Sequence, residues 1–361
     1  MKGGWAWPWI LCGAVWWAIC WGPALHAKPA HAPATSTHRT STATWGETPE
    51  VQALAQELAQ RHDLPATWTL KQLARAHPVP RVRQLILPAP TPVAKNWAAY
   101  RDRFIEPQRI EAGVRFWRQH QAALHRAQAA YGVPAEMVVG IIGVETYYGR
   151  HMGKFNVLDV LSTLALDFPT EHPRAAERQA FFKSELGAFL KQSRQGASIK
   201  RQGSFAGAMG WPQFMPSSWT QFAVDFDGDG QIDLQGSPVD AIGSVAHYFA
   251  SFGWTPGMPT HFAVDVSGPN VDMATLMAPD ILPTFSATRM TELGALLEPD
   301  GQAFDGQLAL IELQNAGNPA SFVAGTPNFY VITRYNWSSY YAMAVIELGQ
   351  AVKAQMGRWA R

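Results

Sequence analysis

Cysteine is nearly absent from this 361-residue chain: Cys12 and Cys20 are the two, and both lie within residues 1–22. If that segment is removed on export, the mature chain has no disulfide framework. Its stability must then come from packing or from a bound ion. Charge is scarce as well, with 16% charged residues against 47% hydrophobic and a formal net charge of +1. Such a composition excludes bulk disorder and supplies a sizeable core, and the length suits roughly two domains of ~150 residues. No long basic stripe or acidic tail occurs, so nucleic acid is not an expected partner. There is no internal repeat. H-E-x-x-H, G-x-S-x-G, the Walker loop and the Rossmann glycine pattern are all missing, and no organic cofactor is expected.

The first residues read as a processing signal. Lys2 precedes an apolar block over residues 5–22, broken by Pro8, and PALHA (23–27) offers small residues before a cut after Ala27. Two alternatives stay open. The block approaches the ~20 residues that span a bilayer, so it could be a retained anchor. Acylation at Cys20 is the other, although the preceding WAI lacks the leucine and small residues usual before a lipidated cysteine. Residues 28–49 are rich in Pro, Ala, Ser and Thr without apolar periodicity, the texture of a flexible tether.

Beyond the tether, apolar spacing predicts short helices over 50–62 and 68–77, then an extended, proline-broken stretch over 82–93. A long helix is expected from about Arg109 to Tyr131, ended by GVPAE (132–136), where Pro134 and Glu136 suit the start of the next. That next helix carries Glu145 and should stop at Gly149. From about Thr260 to Tyr335 the texture changes. FAVDV, QLALIEL and FYVITRY read as β-branched and aromatic strands, and a helix over 338–356 comes after them. The class is α+β, mainly α.

Three stretches carry chemistry. In IIGVETYYG (141–149) a single carboxylate, Glu145, ends an apolar run that predicts a helix buried all round. Desolvation and the helix's C-terminal dipole both favour the neutral carboxyl, the form a general acid needs. The plainer reading, a side chain in a solvent notch, stands beside it. DFDGDGQIDLQGSPVD (225–240) places Asp225, Asp227, Asp229, Gly230 and Ile232 at positions 1, 3, 5, 6 and 8 of an EF-hand loop. Gln231 at position 7 would offer its backbone carbonyl to a hard cation. Position 12 holds Gly236 instead of a glutamate, and Asp240 is the nearby acidic replacement. An acidic turn without metal is the alternative. One such loop suits a single structural Ca2+ site better than a sensor. Third, GSFAGAMGWPQFMPSSW (203–219) suits a loop that brings Ser204, Gln213 and aromatic faces to a flat ligand, or else a glycine-rich packing loop. TRYNWSSYY (333–341) has the same character, with Tyr335, Asn336 and Tyr341 as donors.

In order and combination these stretches resemble the lytic murein transglycosylases of the membrane-bound B type, from about Ala98 to the C-terminus. The matching segments are GVRFWRQHQAALHRAQAAYGVPAEMVVGIIGVETYYGRHMGK, GSFAGAMGWPQFMPSSW, VDFDGDG, SPVDAIGSVAHYFASFGW and TRYNWSSYYAMAV. The resemblance implies a lysozyme-like core over 131–258, a helical domain over 50–130 joined by a C-terminal helix over 338–361, and a small antiparallel β domain over 259–337. It implies cleavage of the β-1,4 bond between N-acetylmuramic acid and N-acetylglucosamine in periplasmic peptidoglycan. Glu145 would act first as acid and then as base on the muramic C6 hydroxyl, giving a 1,6-anhydro sugar. Ser204, Gln213, Tyr335, Asn336 and Tyr341 correspond to saccharide contacts, and Asp225, Asp227, Asp229 and Asp240 to the calcium loop. Glycan strands are the implied partner, with wall-synthesis proteins as further candidates. Residues 170–202 look longer than the family pattern, and nothing transfers to them.

A hydrolytic muramidase on the same core is the competing enzyme, with Asp159 or Asp167 as second carboxylate. A catalytically dead, calcium-dependent wall-binding protein is the competing class. Ordinary glycosidases use two carboxylates ~5–9.5 Å apart, whereas an attacking substrate hydroxyl removes the need for the second.

Overall fold

The computed structural model describes residues 43–89 and 94–359. The leader, both cysteines and the tether through residue 42 lie outside them. The end of the tether is pinned: the Trp45 and Gly46 N–H groups donate to the Ala76 and Ala74 carbonyls, each at 3.0 Å. The chain is α+β and mainly helical, and it divides into two compact units. One comprises residues 43–89 and 145–245, the other 94–144 and 246–359.

The first of these is helical. Thr48 caps Pro49–His62 by accepting from the Val51 N–H at 3.4 Å, and Pro49 occupies the first turn, where its missing N–H costs nothing. Val51, Leu54, Ala55 and Leu58 form the buried stripe that the spacing predicts. At the centre lies Val157–Leu166, buried along almost its whole length and capped by Asn156, which accepts from the Asp159 N–H at 3.1 Å. Ala175–Arg194 packs along it, and Pro216–Phe222 packs on Ala175–Arg194 in turn. A two-stranded antiparallel pair, Phe155–Asn156 with Gln202–Gly203, ties the start of the central helix to the glycine-rich loop. One expectation is corrected. The stretch after residue 80 is not wholly extended, because Pro80 starts a short helix, Pro80–Leu85.

The other unit holds a five-stranded antiparallel sheet. Its strand order is Phe285–Ser286, Gln307–Asn315, Asn318–Gly325, His261–Asp265, Leu296–Leu297. Phe262, Leu276, Met290, Leu308 and Leu310 form its core. FAVDV and QLALIEL are strands as expected, whereas FYVITRY is not. Thr326 accepts from the Asn328 N–H at 3.1 Å and Pro327 takes the first turn, so Pro327–Tyr335 is a helix. A cap and a proline at the start outweigh the strand preference of the residues after them. The long helix expected over 109–131 is also two, Pro107–Gln119 and Gln121–Tyr131. The break is at His120 (φ −116°, ψ 22°), whose ring packs on Phe116 with centroids 4.8 Å apart. In the same unit Ala135–Thr146, up to Val144, crosses Ser339–Trp359 at very short range. A Cβ on Gly140 would lie 2.3 Å from the Val345 carbonyl oxygen, and one on Gly349 2.1 Å from that of Glu136. Both positions therefore exclude side chains.

Candidate active site

Glu145 opens its unit's second segment, in the last turn of Ala135–Thr146. The helix is buried from Met137 to Gly143 and half-buried at Val144 and Glu145. The all-round burial that the sequence predicts therefore stops just short of the carboxylate. That geometry serves an acid, which needs a low-dielectric flank and a side chain that substrate can reach. In the other unit, Arg109 Nη1 donates to the Gly143 carbonyl at 2.8 Å, setting a cation at the negative end of the helix.

A locked turn comes directly after Glu145. Thr146 Oγ1 donates to the Trp211 carbonyl at 3.0 Å and accepts from the Gly149 N–H at 3.1 Å. Gly149 (φ 82°) sits against the Trp211 indole so closely that a Cβ would come within 2.6 Å of the ring. Trp211 is itself held twice. Its backbone N–H donates to the Leu234 carbonyl at 2.9 Å, and its Nε1 to the Gln235 carbonyl at 3.1 Å. Leu234 and Gln235 belong to the exit of the aspartate loop. Trp211 thus bolts the end of the glutamate helix to that loop.

The glycine-rich segment is a folded loop. Met209 and Phe214 exchange backbone hydrogen bonds at 2.9 and 3.1 Å across a tight turn that holds Gln213 at φ 50°. Gln213 is buried, and its Nε2 donates to the Gly210 and Met152 carbonyls at 2.9 and 3.2 Å. Its side-chain carbonyl oxygen is what it can offer a ligand. Half-buried Ser204 accepts through Oγ from the Ala206 and Ala208 N–H groups at 3.3 and 3.1 Å, which leaves its hydroxyl proton to donate.

The loop rests on a buried polar network from the segment 170–202, to which sequence reasoning assigned nothing. Glu185 accepts from the Ser217 N–H and Oγ at 2.9 and 2.6 Å, and Gln192 Nε2 donates to the Pro216 carbonyl at 2.6 Å. Burial pushes the Glu185 carboxyl up, and the two Ser217 hydrogen bonds pull it back. Arg201 lies 4.8 Å from each of the Phe189 and Trp219 rings and donates to Gln192 Oε1 at 2.9 Å. Burial lowers its guanidinium to about 10.

Carboxylate oxygens of Asp225, Asp227 and Asp229 converge to within 4.8 Å of one another, a hard-oxygen cluster that fits Ca2+. Gln231 comes next in the exposed part of the loop, its N–H donating to Asp229 Oδ1 at 2.8 Å. Asp240 is fully buried and holds the loop's own backbone. Its Oδ1 accepts from the Phe226 and Asp227 N–H groups at 2.8 and 3.2 Å, its Oδ2 from Asp233 at 2.8 Å. It clamps the two ends of the loop together. Burial pushes its carboxyl up, these three donors oppose that, and the Asp227 charge adds to it.

Tyr335, Asn336 and Tyr341 are in the other unit. The Tyr335 and Tyr341 rings stack nearly parallel with centroids 6.4 Å apart, and Asn336 ends Pro327–Tyr335. Of the two carboxylates that a muramidase could recruit, Asp159 accepts from the His77 N–H at 2.8 Å and Asp167 pairs with Arg83 at 3.0 Å.

Sequence reasoning missed Thr146, Trp211, Arg109 and the Glu185–Gln192–Arg201 network. Signals were faint: a threonine directly after the lone glutamate, a tryptophan amid glycines, and a charge at 185 in an apolar helical stripe.

Residues 46–350 match the family described as Transglycosylase SLT domain. The chain is 40% identical over 315 residues to membrane-bound lytic murein transglycosylase B of Escherichia coli (strain K12), covering 84% of this chain and 82% of that one. The Escherichia coli lytic transglycosylase Slt35 in complex with calcium superposes with a TM-score of 0.73 at 37% identity, covering 88% and 98% of the two chains. SltB3 of Pseudomonas aeruginosa in complex with NAG-anhNAM-pentapeptide gives a TM-score of 0.68 at 31% identity, covering 85% and 80%.

Proposed function

The chain belongs to the transglycosylase SLT family and is a lytic transglycosylase, and from that premise we propose that Glu145 is its single catalytic carboxylate. The observation that carries the assignment is a half-buried carboxylate closing an otherwise apolar helix. The occupied state of Asp159 and Asp167 supports it further. The substrate is the β-1,4 bond between N-acetylmuramic acid and N-acetylglucosamine. Glu145 gives its proton to the leaving glycosidic oxygen as the bond to C1 breaks. The resulting carboxylate then takes the proton of the muramic C6 hydroxyl as that oxygen bonds to C1. The acid is regenerated, no water is consumed, and the product is a 1,6-anhydro sugar. Ser204 and the Gln213 carbonyl orient the saccharide from the glycine-rich loop, and Tyr335, Asn336 and Tyr341 take the saccharide contacts that the family pattern gives them. Peptidoglycan lies in the periplasm, which a cleaved leader over residues 1–27 would reach.

Mass spectrometry of digested cell wall tests the reaction. Anhydro products, one water lighter than hydrolytic ones, are expected; reducing-end products alone would sink the proposal in favour of a muramidase.

One Ca2+ would be held by the carboxylates of Asp225, Asp227 and Asp229 and the backbone carbonyl of Gln231, in a loop that Asp240 closes. Its role is structural: a fixed loop fixes Leu234 and Gln235, hence Trp211 and the end of the glutamate helix. Calcium at 100 times its Kd should stabilise the fold by about 2.7 kcal/mol. Thermal melting with calcium and with excess chelator reads this directly. Asp225→Asn should erase most of the difference, and a melting temperature indifferent to chelator refutes a bound structural ion.

A further inference from the structure

The backbone immediately after Glu145 is strained. Tyr147, Tyr148 and Gly149 have φ of 52°, 56° and 82°, a run of left-handed residues that includes two aromatic side chains. A bulky residue in that region is strained and persists only where its surroundings dictate it. Here they do. The Thr146 hydroxyl grips the Gly149 N–H and the Trp211 carbonyl, and the His151 N–H donates to the Thr146 carbonyl at 2.9 Å. Tyr148 turns inward and is 8% exposed, whereas Tyr147 is half-buried and Arg150 and His151 are exposed.

The turn assembles a small surface from residues that follow Glu145 directly in the chain. The Arg150 guanidinium carbon lies 4.7 Å from the centre of the Tyr147 ring, and the His151 ring stacks on the same tyrosine at 5.9 Å and 22°. A guanidinium resting over an aromatic ring has lost much of its freedom while its N–H edge stays in solvent. Among the described residues, Arg150 belongs to none of the ion pairs with Asp or Glu. The result is a pre-oriented, uncompensated cation five residues beyond Glu145. Its fork matches a carboxylate, which it can hold by two parallel hydrogen bonds. The sugar ring to be cleaved carries no free carboxylate when its lactyl group is joined to a peptide. The peptide carries at least its terminal one. Such a peptide-bearing sugar is what the SltB3 complex contains.

We propose that Tyr147, Arg150 and His151 form a peptide-stem platform, in which Arg150 pairs with a stem carboxylate and the Tyr147–His151 stack supports it. The platform sets preference for glycan strands that carry their stems, and it rests on the transglycosylase reading above. It also explains why the chain tolerates two left-handed tyrosines: a helix continued past Thr146 would not make this turn.

The test compares kcat/KM on purified strands with intact stems and on the same strands stripped of stems by an amidase, the lactyl carboxylates this frees being converted to methylamides. Arg150→Gln should lower the ratio of stemmed to stripped kcat/KM about tenfold, through KM, and Arg150→Lys should fall between the two because it keeps the charge without the fork. Affinity for a soluble disaccharide carrying its stem, measured by calorimetry, should fall by a similar factor. An unchanged ratio together with unchanged disaccharide affinity overturns the platform. Product masses from the stripped strands report separately on the chemistry. Hydrolytic masses there would sink the transglycosylase reading, while the ratio and the calorimetry would still decide the platform.

Discussion

Glu145→Gln is expected to reduce lysis of purified peptidoglycan by about 10³-fold or more while the protein still folds. Glutamine keeps the volume and one hydrogen-bonding oxygen of the side chain but has no proton of suitable acidity for a leaving glycosidic oxygen. General acid–base catalysis alone is worth about 10²–10⁴ in rate, and the proposed mechanism gives one group both halves of the work. Stability should hardly change. The helix is buried as far as Gly143, and the residue substituted is only half-buried. The Thr146–Trp211 and Thr146–Gly149 hydrogen bonds that lock its end involve the neighbouring residue. Glu145→Asp should also be severely impaired, since withdrawal by one methylene takes the proton out of reach of an atom that must lie ~3 Å away. Turbidity clearing of wall suspensions measures the rate, and circular dichroism melting measures the fold. Activity above a tenth of wild type in Glu145→Gln would shift the acid to another residue.

The sequence exposes this site unevenly, for physical reasons. Glu145 is legible because a lone charge ending an apolar helix breaks a local pattern, and the aspartate alternation is legible because hard-cation loops impose a fixed spacing. The strands His261–Asp265 and Gln307–Asn315 are likewise visible in their composition. Legibility ends where the deciding contact is far away in the chain. Thr146 and Trp211 are 65 residues apart, and nothing near either one announces that a hydroxyl meets a carbonyl there. Asp240 illustrates another limit. Its position fits a metal ligand, yet its oxygens accept three backbone N–H groups, and spacing cannot distinguish the two tasks. FYVITRY shows how β-branched and aromatic residues mislead when the preceding Thr-Pro pair has already started a helix. At His120 no glycine or proline marks the break, so periodicity alone joins two helices into one.

Gly153→Ala should be the most destabilising single methyl in the unit that holds Glu145. Gly153 has φ 89°, and a Cβ there would lie 2.0 Å from the Gly203 carbonyl oxygen, 2.1 Å from its carbon and 2.5 Å from the Ser204 nitrogen. All three are backbone atoms, so no side-chain rotation can relieve the overlap. Relief requires moving the strand pair Phe155–Asn156 and Gln202–Gly203 apart, the same pair that anchors the glycine-rich loop bearing Ser204. Left-handed strain adds about 1–2 kcal/mol to the clash, and together they should cost roughly 3–5 kcal/mol. That corresponds to a fall in Tm on the order of 10 °C. Gly196→Ala separates the two contributions. Gly196 has φ 109° with nothing within 4 Å of the added carbon, so it carries the conformational penalty alone. Gly153→Ala should therefore lose several times as much stability as Gly196→Ala, and lytic activity should fall with it at temperatures where the folded state persists, because Ser204 moves with the displaced strand. Equal losses in the two variants would mean that the strand pair yields freely and does not fix the loop.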